Sequence, residues 1–132
     1  VDPFVNLPGN FDQFGATLEN AARLHKAGVT VAFSMSGDAS HMARKLRQAA
    51  GIAVANGLPW EAGLAALTAN PAAIFGANDR GRIAVGQRAD LVLWSADPLD
   101  VTSLAEQVWI GGEAQSMVSR QTLLRDRYMP KH

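Results

Sequence analysis

The chain has 132 residues, 12 of them basic and 12 acidic, with 48% hydrophobic and 18% charged residues. That length makes one small domain or a piece of a larger one, able to bury roughly two thirds of its unfolded surface, and the composition excludes a disordered chain. The balanced charge excludes the electrostatic footprint of a nucleic-acid binder and any strong attraction to acidic lipid, so neither nucleic acid nor a membrane is an expected partner. There is no cysteine, which excludes disulfide scaffolds, thiolate zinc sites and cysteine nucleophiles. No apolar run approaches the roughly 20 residues of a membrane span. No basic segment followed by an apolar one opens the chain as a signal peptide would, and the cytoplasm is the default expectation. The sequence starts at Val1 in loop-like residues, which points to a processed product or an excised fragment.

Residues 1–10 read as a loop, punctuated by Pro3, Pro8, Gly9 and Asn10. Phe14, Leu18, Ala21, Ala22 and Leu24 recur at helical spacing, which predicts a helix over 11–27 with Gly28 as its left-handed stop. Val29-Thr30-Val31-Ala32-Phe33 is almost wholly apolar and suits a strand buried on both faces. A small polar loop, 34–40, follows, and Ser40 is placed to cap a helix over 41–56 that stops at Gly57. Pro59 and Glu61 open a helix running to about Thr68, and Asn70-Pro71 starts a short one ending at Gly76. Beyond that, Arg82-Ile83-Ala84 and residues 89–94 read as strands, and Asp97-Pro98-Leu99-Asp100 as a loop. Residues 108–119 read as a hairpin about Gly111-Gly112-Glu113, and 121–127 as a terminal helix. The strand at 29–33 lacks an obvious parallel partner in residues 1–76. A buried strand cannot leave its backbone groups unmet, so the tail, another chain or further sequence must pair with it.

Several segments match one known family in order. They are Glu19 to Val31, Ser36-Gly37-Asp38, the helix and turn Glu61 to Ala72 with its Asn70-Pro71-Ala72, the stretch Gly81 to Val92, and Val108 to Glu113. Across about 12–119 the chain resembles the C-terminal third of the metal-dependent amidohydrolase superfamily, of the imidazolonepropionase and dihydroorotase type. The stretch Gly81-Arg82-Ile83 to Gly86-Gln87-Arg88-Ala89-Asp90-Leu91-Val92 carries most of the specificity. The resemblance implies an α/β fold: the last β/α unit of a (β/α)8 barrel with its following helices over 1–76, and strands of a small composite β-sandwich with a terminal helix over 77–132.

It also implies hydrolysis of C–N bonds in a small non-peptide or cyclic amide by metal-activated water, zinc being the usual metal. Asp38 matches the family's carboxylate at the end of the eighth strand, which touches metal and takes the proton of the attacking water. Gly37 stands where the family usually has Thr or Ser. From local sequence alone, a helix cap or loop carboxylate is the commoner reading of Asp38, and its place at the carboxyl end of a strand turns the balance to the catalytic one. His41, three residues on, is a candidate substrate contact or a solvated helix-start residue. His25, late in a helix, reads as structural or exposed, and His132 ends the chain. No histidine pair has zinc-site spacing, so this chain alone is expected to hold no metal and to be inactive.

Trp60, Trp94 and Trp109 read as packing residues, Asp90 as structural, and Arg120, Arg125, Arg127 and Lys131 as a solvated face. The competing reading is a non-catalytic domain or pseudoenzyme acting through self-association. That reading predicts a stable oligomer, because exposed strand edges seek partners, and a homo-oligomer is the expectation.

Overall fold

The computed structural model describes residues 1–35 and 40–129. Helices α1 (Asn20–Lys26), α2 (Leu46–Ala55), α3 (Trp60–Ala65) and α4 (Ala69–Ile74) come first. Strands β1 (Leu91–Trp94), β2 (Ala105–Ile110) and β3 (Glu113–Ala114) follow, and then α5 (Arg120–Tyr128). Short 3-10 helices occupy Pro3–Val5, Phe11–Gln13 and Ser40–Lys45. Helix and sheet occur in one chain, in keeping with the α/β expectation.

The glycine stops behave as expected. Gly28, Gly57 and Gly76 take φ of 79°, 96° and 74°. After each, the next N–H reaches back five residues: Val29 to Leu24 O, Leu58 to Ala53 O and Ala77 to Ala72 O. These are Schellman closures, and the left-handed backbone they need is strained for any residue with a Cβ.

The first helix is shorter than the 11–27 expected. The Asn10 side chain accepts from the Gln13 N–H at 3.1 Å and tightens residues 11–13 into a 3-10 turn. Phe11 and Phe14 are 96% and 83% exposed, so this half of the apolar stripe packs on nothing among the described residues. A short helix without tertiary packing is marginal, and only the half with buried Ala21 persists. The helix expected over 41–56 likewise opens as 3-10 and becomes α-helical at Leu46. The capping role expected of the Ser40 side chain lies outside what is described.

The core joins Ala21, Val31, Phe33, Ala50, Ala53, Leu58, Ala66 and Leu99. Small residues let the helices approach closely. A Cβ on Gly63 would stand 2.7 Å from Val54 Cγ2, and one on Gly51 would stand 2.6 Å from the Leu99 carbonyl oxygen.

Residues 29–33 form no ladder strand, contrary to expectation, and the C-terminal strands do not pair with them. Val1 provides one neighbour instead. Its amino group donates to Ala32 O at 2.8 Å, and the Ser34 N–H donates to Val1 O at 2.9 Å. That pair of bonds has the slanted pattern of a parallel bridge, one residue long.

The three strands form an antiparallel sheet in the order β1-β2-β3. Leu91 faces Trp109 and Val92 faces Val108, with an irregularity between Leu93 and Trp94. Gly111 and Gly112, φ 61° and 85°, make the tight turn between β2 and β3, where positive φ at both positions suits the strand twist. The strand expected at Arg82–Ala84 does not form. Ile83 is 91% exposed there, and the Gln87 N–H bonds Ala84 O in a turn. Helix α5 starts at a capping box, with the Ser119 and Thr122 side chains and backbones bonded reciprocally.

Gly51→Ala is expected to destabilise the chain by about 1–3 kcal/mol, because the new methyl meets a backbone carbonyl, although alanine is intrinsically the better helix former by about 1 kcal/mol. Urea unfolding of the variant beside Leu99→Ala, for which a loss of about 2–5 kcal/mol is expected, checks this. A Gly51→Ala chain as stable as wild type would mean that the Leu99 loop does not sit on α2.

Candidate functional site

Asp38, the candidate catalytic carboxylate and metal ligand, lies outside the described residues, as does His132. His41 is exposed in the 3-10 helix Ser40–Lys45. His25 is exposed in the last turn of α1, as expected. Among the described residues no group of three or more His, Cys, Asp or Glu side chains is placed to hold a metal ion. The described residues by themselves therefore do not make up a complete metal site.

What the tertiary structure does assemble is a seat for the loop 97–103 on α2 and α3. Arg47, on α2, donates from Nη1 to the carbonyls of Pro98, at 2.9 Å, and Asp100. Its Nη2 donates to Ser103 O at 3.2 Å. The same guanidinium lies 4.6 Å from the centre of the Trp94 ring on β1. A planar group with five fixed donors is suited to gathering several carbonyls while stacking on an aromatic face.

Beside it, Trp60 Nε1 donates to the Asp97 carboxylate at 3.0 and 3.1 Å, and Asp97 Oδ1 also accepts from the Leu99 N–H at 2.8 Å. The turn thus pushes Leu99 into the core. Asp100 Oδ1 accepts from both the N–H and the hydroxyl of Thr102, which lowers its pKa. Sequence reading missed Arg47. The available signal was its spacing, three, four and seven residues before Ala50, Gly51 and Val54, which puts it on the inward stripe of α2.

A largely apolar cleft of about 580 Å³ opens between these helices and the sheet, bounded by Arg47, Leu67, Thr68, Arg82, Val92 and Trp94 among others. At the start of β1, Asp90 is structural, as the family resemblance implied. It accepts from the Gly111 N–H at 2.7 Å and from Arg88 Nε at 2.9 Å, tying the strand to the hairpin turn. The Gly111 bond first, and the Arg88 bond second, hold its pKa below the ordinary value. Asp79 is lowered mainly by its hydrogen bond with Arg80. In the first turn of α4, Asn70 Nδ2 donates to Val31 O at 2.7 Å. Arg120, Arg125 and Arg127 are exposed, and Lys131 lies outside the described residues.

The model of the amidohydrolase family matches residues 27–114. The chain belongs to that family. Both Asp38 and His41 fall within the matched span. This amidohydrolase chain also resembles the crystal structure of an amidohydrolase from Thermotoga maritima MSB8. The TM-score is 0.74 and the identity 34%, over 86% of this chain and 30% of that one. It is 48% identical over 60 residues to Amidohydrolase tasK of Hapsidospora irregularis, which is 45% of this chain and 6% of that protein. It is 55% identical over 40 residues to N-acyl-D-glutamate deacylase of Alcaligenes xylosoxydans xylosoxydans, 30% of this chain and 8% of that protein. The matched part is thus a small share of each curated relative's length. No helix among the described residues is long and apolar enough to cross a membrane.

The lowered carboxylates Asp79, Asp90 and Asp100 give a pH prediction. A depressed folded pKa contributes stability that is fully present above the unfolded value, about 3.9, and is lost as pH falls through the folded value. Urea midpoints should fall in the wild type as pH drops below about 4. Asp90→Asn should lower the midpoint near neutral pH and make that acid loss shallower, and an unchanged acid slope would remove Asp90 from the joint.

Proposed function

We propose that this chain is the C-terminal part of an amidohydrolase that hydrolyses C–N bonds in small amides with metal-activated water. In this reading residues 1–76 close a (β/α)8 barrel and residues 77–132 supply strands of a small β-sandwich. The observation that carries the proposal is the family match across residues 27–114.

Asp38 follows the apolar segment 29–33, and barrel enzymes carry their chemistry where strands end. A carboxylate is ionised near neutral pH and accepts a proton, so Asp38 takes the role of general base and of one metal ligand. His41, in the exposed turn just beyond, contacts substrate. A divalent metal, zinc first, is the family's cofactor. Catalytic zinc takes about three protein ligands, so the remaining ligands come from outside these 132 residues and the chain alone is inactive. An amino acid acylated on nitrogen is the first substrate class to try, because one relative is named for removing an acyl group from D-glutamate.

A second reading has the chain act by self-association. Phe75 is 85% exposed and Val85 fully so, and large apolar side chains left this open to water favour association. Light scattering at high concentration reads it directly, and a monomer would count against it.

The enzyme reading is tested in the longer protein that contains these residues. Bound metal, and turnover of N-acyl amino acids, are expected there. Asp38→Asn should lower kcat by about 10²–10⁴-fold. Undiminished turnover in that variant would take Asp38 out of the chemistry.

A further inference from the structure

Residues 31–34 present two backbone edges. Ala32 O and the Ser34 N–H lie on the edge bonded to Val1. Val31 O and the Phe33 N–H belong to the opposite edge, as the alternation of an extended chain requires. No strand of the described residues pairs there. Instead Asn70 Nδ2 donates to Val31 O at 2.7 Å, and the Phe33 N–H donates to Ala66 O at 3.3 Å. Ala66 caps the end of α3 and Asn70 is the second residue of α4. The junction of two helices therefore supplies one donor and one acceptor in the places where a neighbouring strand would put its own.

The register of this segment matters. Val31 and Phe33 are 5% and 6% exposed and pack in the core. A slip of one residue would turn both outward. Val1 bridges at a single position, which is weak insurance against a slip. The Asn70 amide bonds one particular carbonyl across 39 residues of sequence, from a helix whose own place is set by packing. Its short side chain has little freedom to follow a shifted carbonyl.

We propose that Asn70 is a positioning residue: its amide stands in for a strand partner, fixes the register of residues 31–34, and so sets where the chain delivers Asp38. The proposal rests on the reading of Asp38 given above. Asn70 touches neither substrate nor metal in this role.

The test uses Asn70→Ala, which removes the donor, and Asn70→Asp, which keeps the shape. An ionised carboxylate cannot donate to Val31 O, whereas a protonated carboxyl can. Amide exchange protection at Phe33 and Ser34 is read by NMR in the 132-residue chain. Both variants should lose at least tenfold protection near pH 7. In Asn70→Asp the protection should return as pH falls toward about 4.5, while Asn70→Ala stays unprotected. Asn70→Leu, which fills the same space without a donor, should lose the protection at every pH, whereas a packing role alone would keep it. Unchanged protection in Asn70→Ala, or a wild-type chain unprotected at these amides, overturns the inference whatever Asp38 does.

In the longer protein, Asn70→Ala should lower kcat at least tenfold with little change in KM. Full turnover in Asn70→Ala beside an inactive Asp38→Asn overturns the positioning role and leaves Asp38 standing. Full turnover in Asp38→Asn fells the Asp38 reading and this role with it.

Discussion

An apolar segment withdrawn from water has to find partners for its N–H and C=O groups, and residues 31–33 are where that demand bears on this chain. Val31 and Phe33 enter the core, so the backbone between them follows them inside. Val1 meets one edge, while Ala66 and Asn70 meet the other. Those bonds bring the N-terminal residue and the α3–α4 junction to the same strip of chain. The short helices α3 and α4 would be marginal in isolation, and their position follows from this contact and from the alanine-lined core.

A second fastening joins the sheet-bearing half to the helices. Leu99 enters the core beside Gly51 and Gly63, which have no side chain to obstruct it. Arg47 collects the carbonyls of the same loop and stacks on Trp94, and Trp60 holds Asp97. The division of labour is physical: the apolar side chain enters the core, and the polar backbone it drags along is met by a guanidinium and an indole at the rim. Asp90 plays a similar part on the sheet itself, clamping the start of β1 to the turn between β2 and β3.

Neither fastening is chemistry. They hold the ends of elements in place, and the match across residues 27–114 places the chain among the amidohydrolases. The exposed apolar residues Phe11, Phe14, Ile83 and Val85 lie away from these contacts. They mark surface left without cover by the described residues. The parent-enzyme and self-association readings both account for that surface, by different partners.

What the sequence by itself determined is local. Gly28, Gly57 and Gly76 end helices and Gly111-Gly112 makes a hairpin turn, because a positive φ is a property of single residues. The amidohydrolase resemblance was likewise legible, since it rests on residues in order along the chain. The tertiary structure decided the rest. It cut the helix expected over 11–27 to Asn20–Lys26 and left Arg82–Ala84 unpaired, because periodicity stabilises an element only when something packs against it. It also gave Arg47 and Asn70 their partners, residues 51 and 39 positions away, through side-chain bonds that no local pattern encodes. Of the candidate site, Asp38 and His41 were named from sequence alone. Among the described residues no group of three or more possible metal ligands comes together, and which ligands converge is decided in three dimensions, which order along the chain does not encode.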